Sequence, residues 1–110
     1  MKKNKKFLFE YLNAYSPVGQ ETEGQKIWKN YITDYVDEVR EDSYGTAYGI
    51  INKVTESNKI TKVPKVVIEA HCDEIAWIVT YIQDDGMIRV KRHGGSDHMI
   101  AGSKPVWIHT

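Results

Sequence analysis

The sequence predicts an α/β fold: two helices on a mixed sheet, followed by a small β-rich unit. Three observations carry this. Apolar residues recur at helical spacing in two segments near the start of the chain. Short apolar runs bounded by glycine, asparagine and aspartate follow them. The stretch "KVVIEAHCDEIAWIVTYI" separates two strand-like runs with His71, Cys72, Asp73 and Glu74, and the character of the chain changes there.

The first helix is expected over about residues 3–15. Phe7, Leu8, Tyr11, Leu12 and Tyr15 share one helical face. Ser16-Pro17 closes it, because the residue before proline avoids helical geometry and proline lacks an amide proton. The second helix is expected over about 22–34, where Ile27, Trp28, Tyr31, Ile32 and Tyr35 repeat the spacing. Thr22 to Gln25 resembles a capping box, and Glu21 and Glu23 suit the positive helix end. Both aromatic-rich stripes read as core faces against a sheet rather than as a ligand groove.

"VDEVRED", "SYGTAYG" and "IINKV" predict a strand pair that bends at Gly45, and "TESNKITK" reads as a polar loop. Val66, Val67 and Ile68 form a continuous apolar run, which predicts an inner strand over Val66–Ala70 covered on both faces. Ile75 to Ile82 and Met87 to Lys91 flank "QDDG", a hairpin signal through Asp85-Gly86. "HGGSDHMIAGSKP" reads as a loop and "VWIHT" as a further strand. Trp107 and Ile108 lie near the end without a polar tail, which predicts a chain interrupted inside a second domain.

Composition narrows the function classes. The formal net charge is zero, so no global field steers the chain to nucleic acid or to an anionic membrane. No apolar run approaches the roughly 20 residues that span a bilayer. "MKKNKK" is followed by Glu10 and Asn13, which no signal-peptide core would carry. Cys72 is the single cysteine, which excludes an internal disulfide and fits a reducing compartment, so a cytoplasmic location is expected. Ser16, Ser43, Ser96 and Ser103 lie outside any nucleophile elbow, and no phosphate-binding glycine fingerprint occurs.

The chemistry concentrates at His71–Glu74. Where strands of an open α/β sheet end, side chains face the crevice in which ligands bind. A neutral imidazole ligates zinc or cobalt through one ring nitrogen. A carboxylate two residues on accepts a hydrogen bond from the other nitrogen and fixes the tautomer. In extended chain, residues two apart point the same way, so His71 and Asp73 share a side and Cys72 faces the other as a small hydrophobe. A three-residue His-x-Asp pattern also arises by chance, as a strand-end histidine beside a solvated turn. Glu74 reads as a turn cap or a solvated edge residue. His93 and His98, around "GGSD", read as exposed loop histidines. A closed structural zinc site lacks the paired Cys/His spacing it needs.

Taken in order, these segments resemble the N-terminal part of the M42 metallo-aminopeptidases. "SPVGQETEGQKIW" resembles the family's turn into its second helix. "EDSYGTAYGII" resembles its Asp-x-x-Gly-Asn strand turn, with Thr46 in place of the asparagine. "VVIEAHCDEIAWIVTYIQDDGMIRV" resembles its strand, His-x-Asp-Glu and hairpin signature, and "HGGSDHMIAGSKPVWIHT" its Gly-Gly segment.

The resemblance implies a definite set of expectations. Residues 1–73 would be the first part of a di-metal peptidase core, and 74–110 the beginning of an inserted β-barrel-like domain that mediates homo-oligomer contacts. His71 matches the first metal ligand. Asp73 matches the aspartate of the catalytic set that positions that histidine. The full-length enzyme would hold two divalent metals, zinc or cobalt, and remove N-terminal residues from peptide substrates. The bridging aspartate, the adjacent glutamate pair and the last histidine of the family have no counterpart here, so the 110-residue chain alone is expected to be inactive. The alternative is a non-catalytic α/β binding or assembly module that keeps the fold.

Overall fold

The computed structural model describes residues 2–52 and 65–110. Helix α1 spans Lys3–Leu12 and α2 spans Thr22–Ile32. The first helix stops three residues before the expected end. There the Asn13 side-chain amide donates to the Phe9 carbonyl at 2.6 Å and closes the last turn. The two aromatic stripes meet each other. The Phe7 ring stacks on Tyr31 with centroids 3.9 Å apart, and Tyr11 and Tyr35 extend the row. Leu8 and Leu12 on the same helix stay exposed. The stripe of α1 therefore packs on α2, not on a sheet.

The start of α2 departs from the expected capping box. Thr22 is the first helical residue, and neither it nor the cap residue Glu21 supplies a side-chain cap. The acceptor comes from outside the helix: the Gly24 amide donates to Ser16 Oγ at 3.0 Å. A Cβ at Gly24 would lie 2.2 Å from that oxygen, so glycine is a steric requirement here.

Strands β1 (Glu38–Glu41) and β2 (Ala47–Ile50) pair antiparallel, Glu38 opposite Ile50 and Glu41 opposite Ala47. Their turn is tied by Asp42, whose carboxylate accepts from the Tyr44 and Thr46 amides, each at 2.9 Å. Gly45 supplies the left-handed residue of the bend at φ 85°. Lys29 of α2 pairs with Glu41 of β1 and joins the two layers. The backbone hydrogen bonds from Thr46 and Tyr44 hold the Asp42 carboxyl below the ordinary aspartate range, against a smaller opposing effect of desolvation.

Strands β3 (Ala76–Ile82) and β4 (Ile88–His93) form the expected hairpin. Asp85-Gly86 makes the turn, with Gly86 at φ 84° and its amide 2.9 Å from the Gln83 carbonyl. Register slips between Val79 and Tyr81, and the extra residue, Thr80, donates its hydroxyl to the Arg89 carbonyl. A 3₁₀ turn, His98–Ala101, lies in the segment expected to be loop, capped by Asp97.

Two strand expectations fail. Residues 66–70 form no strand, and Val66, Val67 and Ile68 are 82%, 82% and 94% exposed. "VWIHT" forms none either. A continuous apolar run becomes an inner strand only where neighbours pair with both edges and cover both faces. Among the described residues nothing pairs with either run. The α/β class stands, as two helices with two separate two-stranded antiparallel sheets. The parallel pairing among the described residues is an isolated bridge between Pro17 and Glu74. The latter part of "IINKV" and the whole of the expected polar loop lie outside the described residues. No helix among the described residues is long and apolar enough to cross a membrane.

Two outcomes follow from these contacts. Replacing glycine by alanine inside a helix normally stabilises it by about 1 kcal/mol. Gly24→Ala should instead destabilise the chain by about 1–2 kcal/mol, because it displaces the Ser16 cap. The loss should shrink in a Ser16→Ala background, as measured by denaturant unfolding of the four variants. Since the folded-state Asp42 carboxyl is depressed, its support of the β1–β2 turn is present above the unfolded value and is lost as pH falls through the folded one. The Tyr44 and Thr46 amide resonances should therefore shift with a midpoint below that of an ordinary aspartate, and a midpoint at or above it would refute the assignment.

Candidate functional site

Residues 71–74 run beside the start of α2, with Cys72 against Gln25 and Glu74 bridged to Pro17. His71 Nδ1 and Asp73 Oδ1 lie 2.9 Å apart. The Asp73 carboxylate accepts, so Nδ1 carries the proton and Nε2 is left as the lone-pair donor. The imidazole is 85% exposed and the carboxylate 33% exposed. His71 thus has little packing of its own and takes its orientation from Asp73. It does not sit at the end of a formed strand, contrary to expectation, because 65–70 pairs with nothing among the described residues.

Cys72 turns the other way, towards α2, where the Gln25 amide donates to Sγ at 3.1 Å. Its thiol is pushed above the ordinary range, first by burial, then by the nearby Glu21 and Asp73 charges. Burial also raises the Tyr11 phenol, with smaller contributions from Cys72 and Asp73. Both shifts favour the neutral thiol and the neutral phenol.

Glu74 is exposed, as a solvated edge residue would be, but it is also tied to Ser16. Its amide donates to the Ser16 carbonyl at 2.8 Å, and its carboxylate accepts from the Ser16 amide at 2.8 Å. His93, expected to be an exposed loop residue, is half-buried at the end of β4, with Nε2 2.7 Å from the Val18 carbonyl. It must donate there, because a carbonyl only accepts. His98 lies in the 3₁₀ turn and is exposed. Sequence reasoning missed the Ser16–Glu74 and His93–Val18 contacts. They join residues 58 and 75 apart, beyond any local spacing rule.

The donor set fits one metal contact. His71 Nε2 has the chemistry of a zinc or cobalt ligand. Among the described residues no group of three His, Cys, Asp or Glu side chains comes close enough to hold an ion. A catalytic zinc needs about three protein ligands, a number the described residues do not bring together.

Comparison with known proteins identifies the family. The M42 glutamyl aminopeptidase family model matches residues 49–110, more than half of the chain. A protein of Acetivibrio thermocellus described as an aminopeptidase is 30% identical over 92 residues, covering 80% of this chain and 26% of that protein. The glutamyl aminopeptidase of Lactococcus lactis subsp. cremoris is 30% identical over 57 residues, 52% of this chain and 16% of the relative. The crystal structure of a TET aminopeptidase from a marine-sediment Thaumarchaeota archaeon superposes with a TM-score of 0.69 at 29% identity, covering 86% of this chain and 25% of that one. The chain thus spans about a quarter or less of the proteins it matches. With its sequence and its fold both aligned to these enzymes, the chain belongs to the M42 glutamyl aminopeptidase family.

Proposed function

We propose that this chain is the N-terminal portion of a metal-dependent aminopeptidase, in which His71 is a metal ligand and Asp73 its positioning partner. The observation that carries the reading is the Nδ1–Oδ1 contact of 2.9 Å, which leaves Nε2 on an exposed ring. A histidine oriented by a carboxylate in this way is the usual arrangement of a metal-ligating imidazole. Bound divalent metal, zinc or cobalt and two per active site in the full-length enzyme, would supply polarisation of the scissile carbonyl and of a water.

The chain's own contribution is limited and specific. Asp73 holds the His71 tautomer and ring plane. Burial and the nearby carboxylates hold the Cys72 thiol and the Tyr11 phenol in their neutral forms on the side facing α2. The remaining ligands and the general base would come from sequence beyond these 110 residues, and the chain alone would be inactive. Peptides are the substrates this reading implies. The division at 73/74 into peptidase core and inserted β domain belongs to the same proposal, as does a cytoplasmic location.

In the full-length enzyme, His71→Ala should abolish peptidase activity, while Asp73→Asn should weaken zinc affinity by roughly 10–100-fold in calorimetric titration. Undiminished activity in His71→Ala would remove His71 from the metal site and favour the binding-module reading. Tight stoichiometric zinc binding by the 110-residue chain itself would contradict the shortage of ligands. Self-association through residues 74–110 is supported by the exposed Ile78, Val79, Ile82, Val90 and Trp107. Light scattering should therefore show a dimer or larger species, and a clean monomer at high concentration would overturn that part.

A further inference from the structure

We propose that Glu74 is a positioning residue that holds the His71–Asp73 pair in register with α2, and that its carboxylate takes no part in proton transfer. The inference rests on the functional reading above and extends it to a residue outside the metal contact.

Pro17 and Glu74 form an isolated parallel bridge. The Glu74 amide donates to the Ser16 carbonyl at 2.8 Å, and the Glu74 carboxylate accepts from the Ser16 amide at 2.8 Å. Ser16 is only 5% exposed, so losing the carboxylate removes the partner of an amide in a buried residue, although Glu74 itself is exposed. Ser16 Oγ in turn caps α2 at Gly24. Glu74 is thereby joined to the helix through one residue.

The link reaches the reactive pair directly. The amide that donates to Ser16 belongs to the peptide joining Asp73 to Glu74, so the plane of that peptide is held. On the other side of Asp73, Cys72 is held by Gln25 of α2. Both neighbours of Asp73 are thus anchored to the same helix end. The 85%-exposed His71 ring depends on Asp73 for its orientation. A carboxylate committed to the Ser16 amide serves as an acceptor in this network, which is the role assigned to it.

The test uses the full-length enzyme with Glu74→Gln, Glu74→Ala and Glu74→Asp. Glutamine keeps an acceptor oxygen at the same reach. Alanine removes it, and aspartate is one methylene too short. Zinc affinity should fall about 10-fold or more in Glu74→Ala and Glu74→Asp, with kcat reduced and KM for the peptide little changed, and recover in Glu74→Gln. Imidazole ¹⁵N spectra should show the His71 proton fixed on Nδ1 in the parent and in Glu74→Gln, and averaged between the nitrogens in the other two. A Glu74→Gln enzyme as impaired as Glu74→Ala, with zinc affinity intact, would show that the charge acts chemically and overturn the proposal. So would an unchanged His71 tautomer in Glu74→Ala. His71→Ala serves as the control: retained zinc affinity there rejects the metal reading itself, and the ¹⁵N spectra still decide the role of Glu74.

Discussion

The amide, the carbonyl and the hydroxyl of Ser16 each hold a hydrogen bond, and the rest of the structure is arranged around that residue. Its partners are the Glu74 carboxylate, the Glu74 amide and the Gly24 amide. An unpaired buried amide costs about 1–3 kcal/mol, so losing any partner is felt in full. Ser16 lies after α1, before α2 and beside the segment that leads into β3. One buried serine therefore sets where the second helix begins and where the reactive strip runs. Gly24 is the complementary half of the contact, since any side chain there would occupy the space of the hydroxyl.

Apolar packing contributes locally rather than through a single shared core. The stacked Phe7 and Tyr31 rings bind α1 to α2, and Lys29 and Glu41 tie α2 to the first sheet. The β3–β4 hairpin keeps most of its apolar side chains exposed. The radius of gyration is 19.6 Å, against about 13 Å for a compact domain of this length. With so little burial shared between the parts, the polar contacts of Ser16, Gln25 and His93 carry much of their mutual placement.

The difference between what was legible in the sequence and what was not follows from range. Helical spacing around Phe7 and Tyr31 is local, and both helices lie where the apolar residues place them. Asp85-Gly86 encodes its own turn, so the hairpin was also legible. His71 and Asp73 are two residues apart, and their meeting needs no tertiary information. The helix cap was misread because its acceptor, Ser16, lies eight residues from Gly24 and outside every local capping pattern. The run at 66–68 was misread for the opposite reason. Its composition fits an inner strand, yet strand formation depends on neighbours that composition does not report.

The hairpin is chemically one-sided. β4 carries Arg89, Lys91 and Arg92, whereas β3, from Ala76 to Ile82, carries no charged residue. Cations along a sheet edge are a common guard against unwanted strand addition, because like charges brought opposite one another repel. Two copies meeting β4 to β4 would stack six positive charges along one seam, while the uncharged rim of β3 offers no such barrier. The ribbon therefore has a closed edge and an open one, and this polarity governs the direction from which another strand can join it.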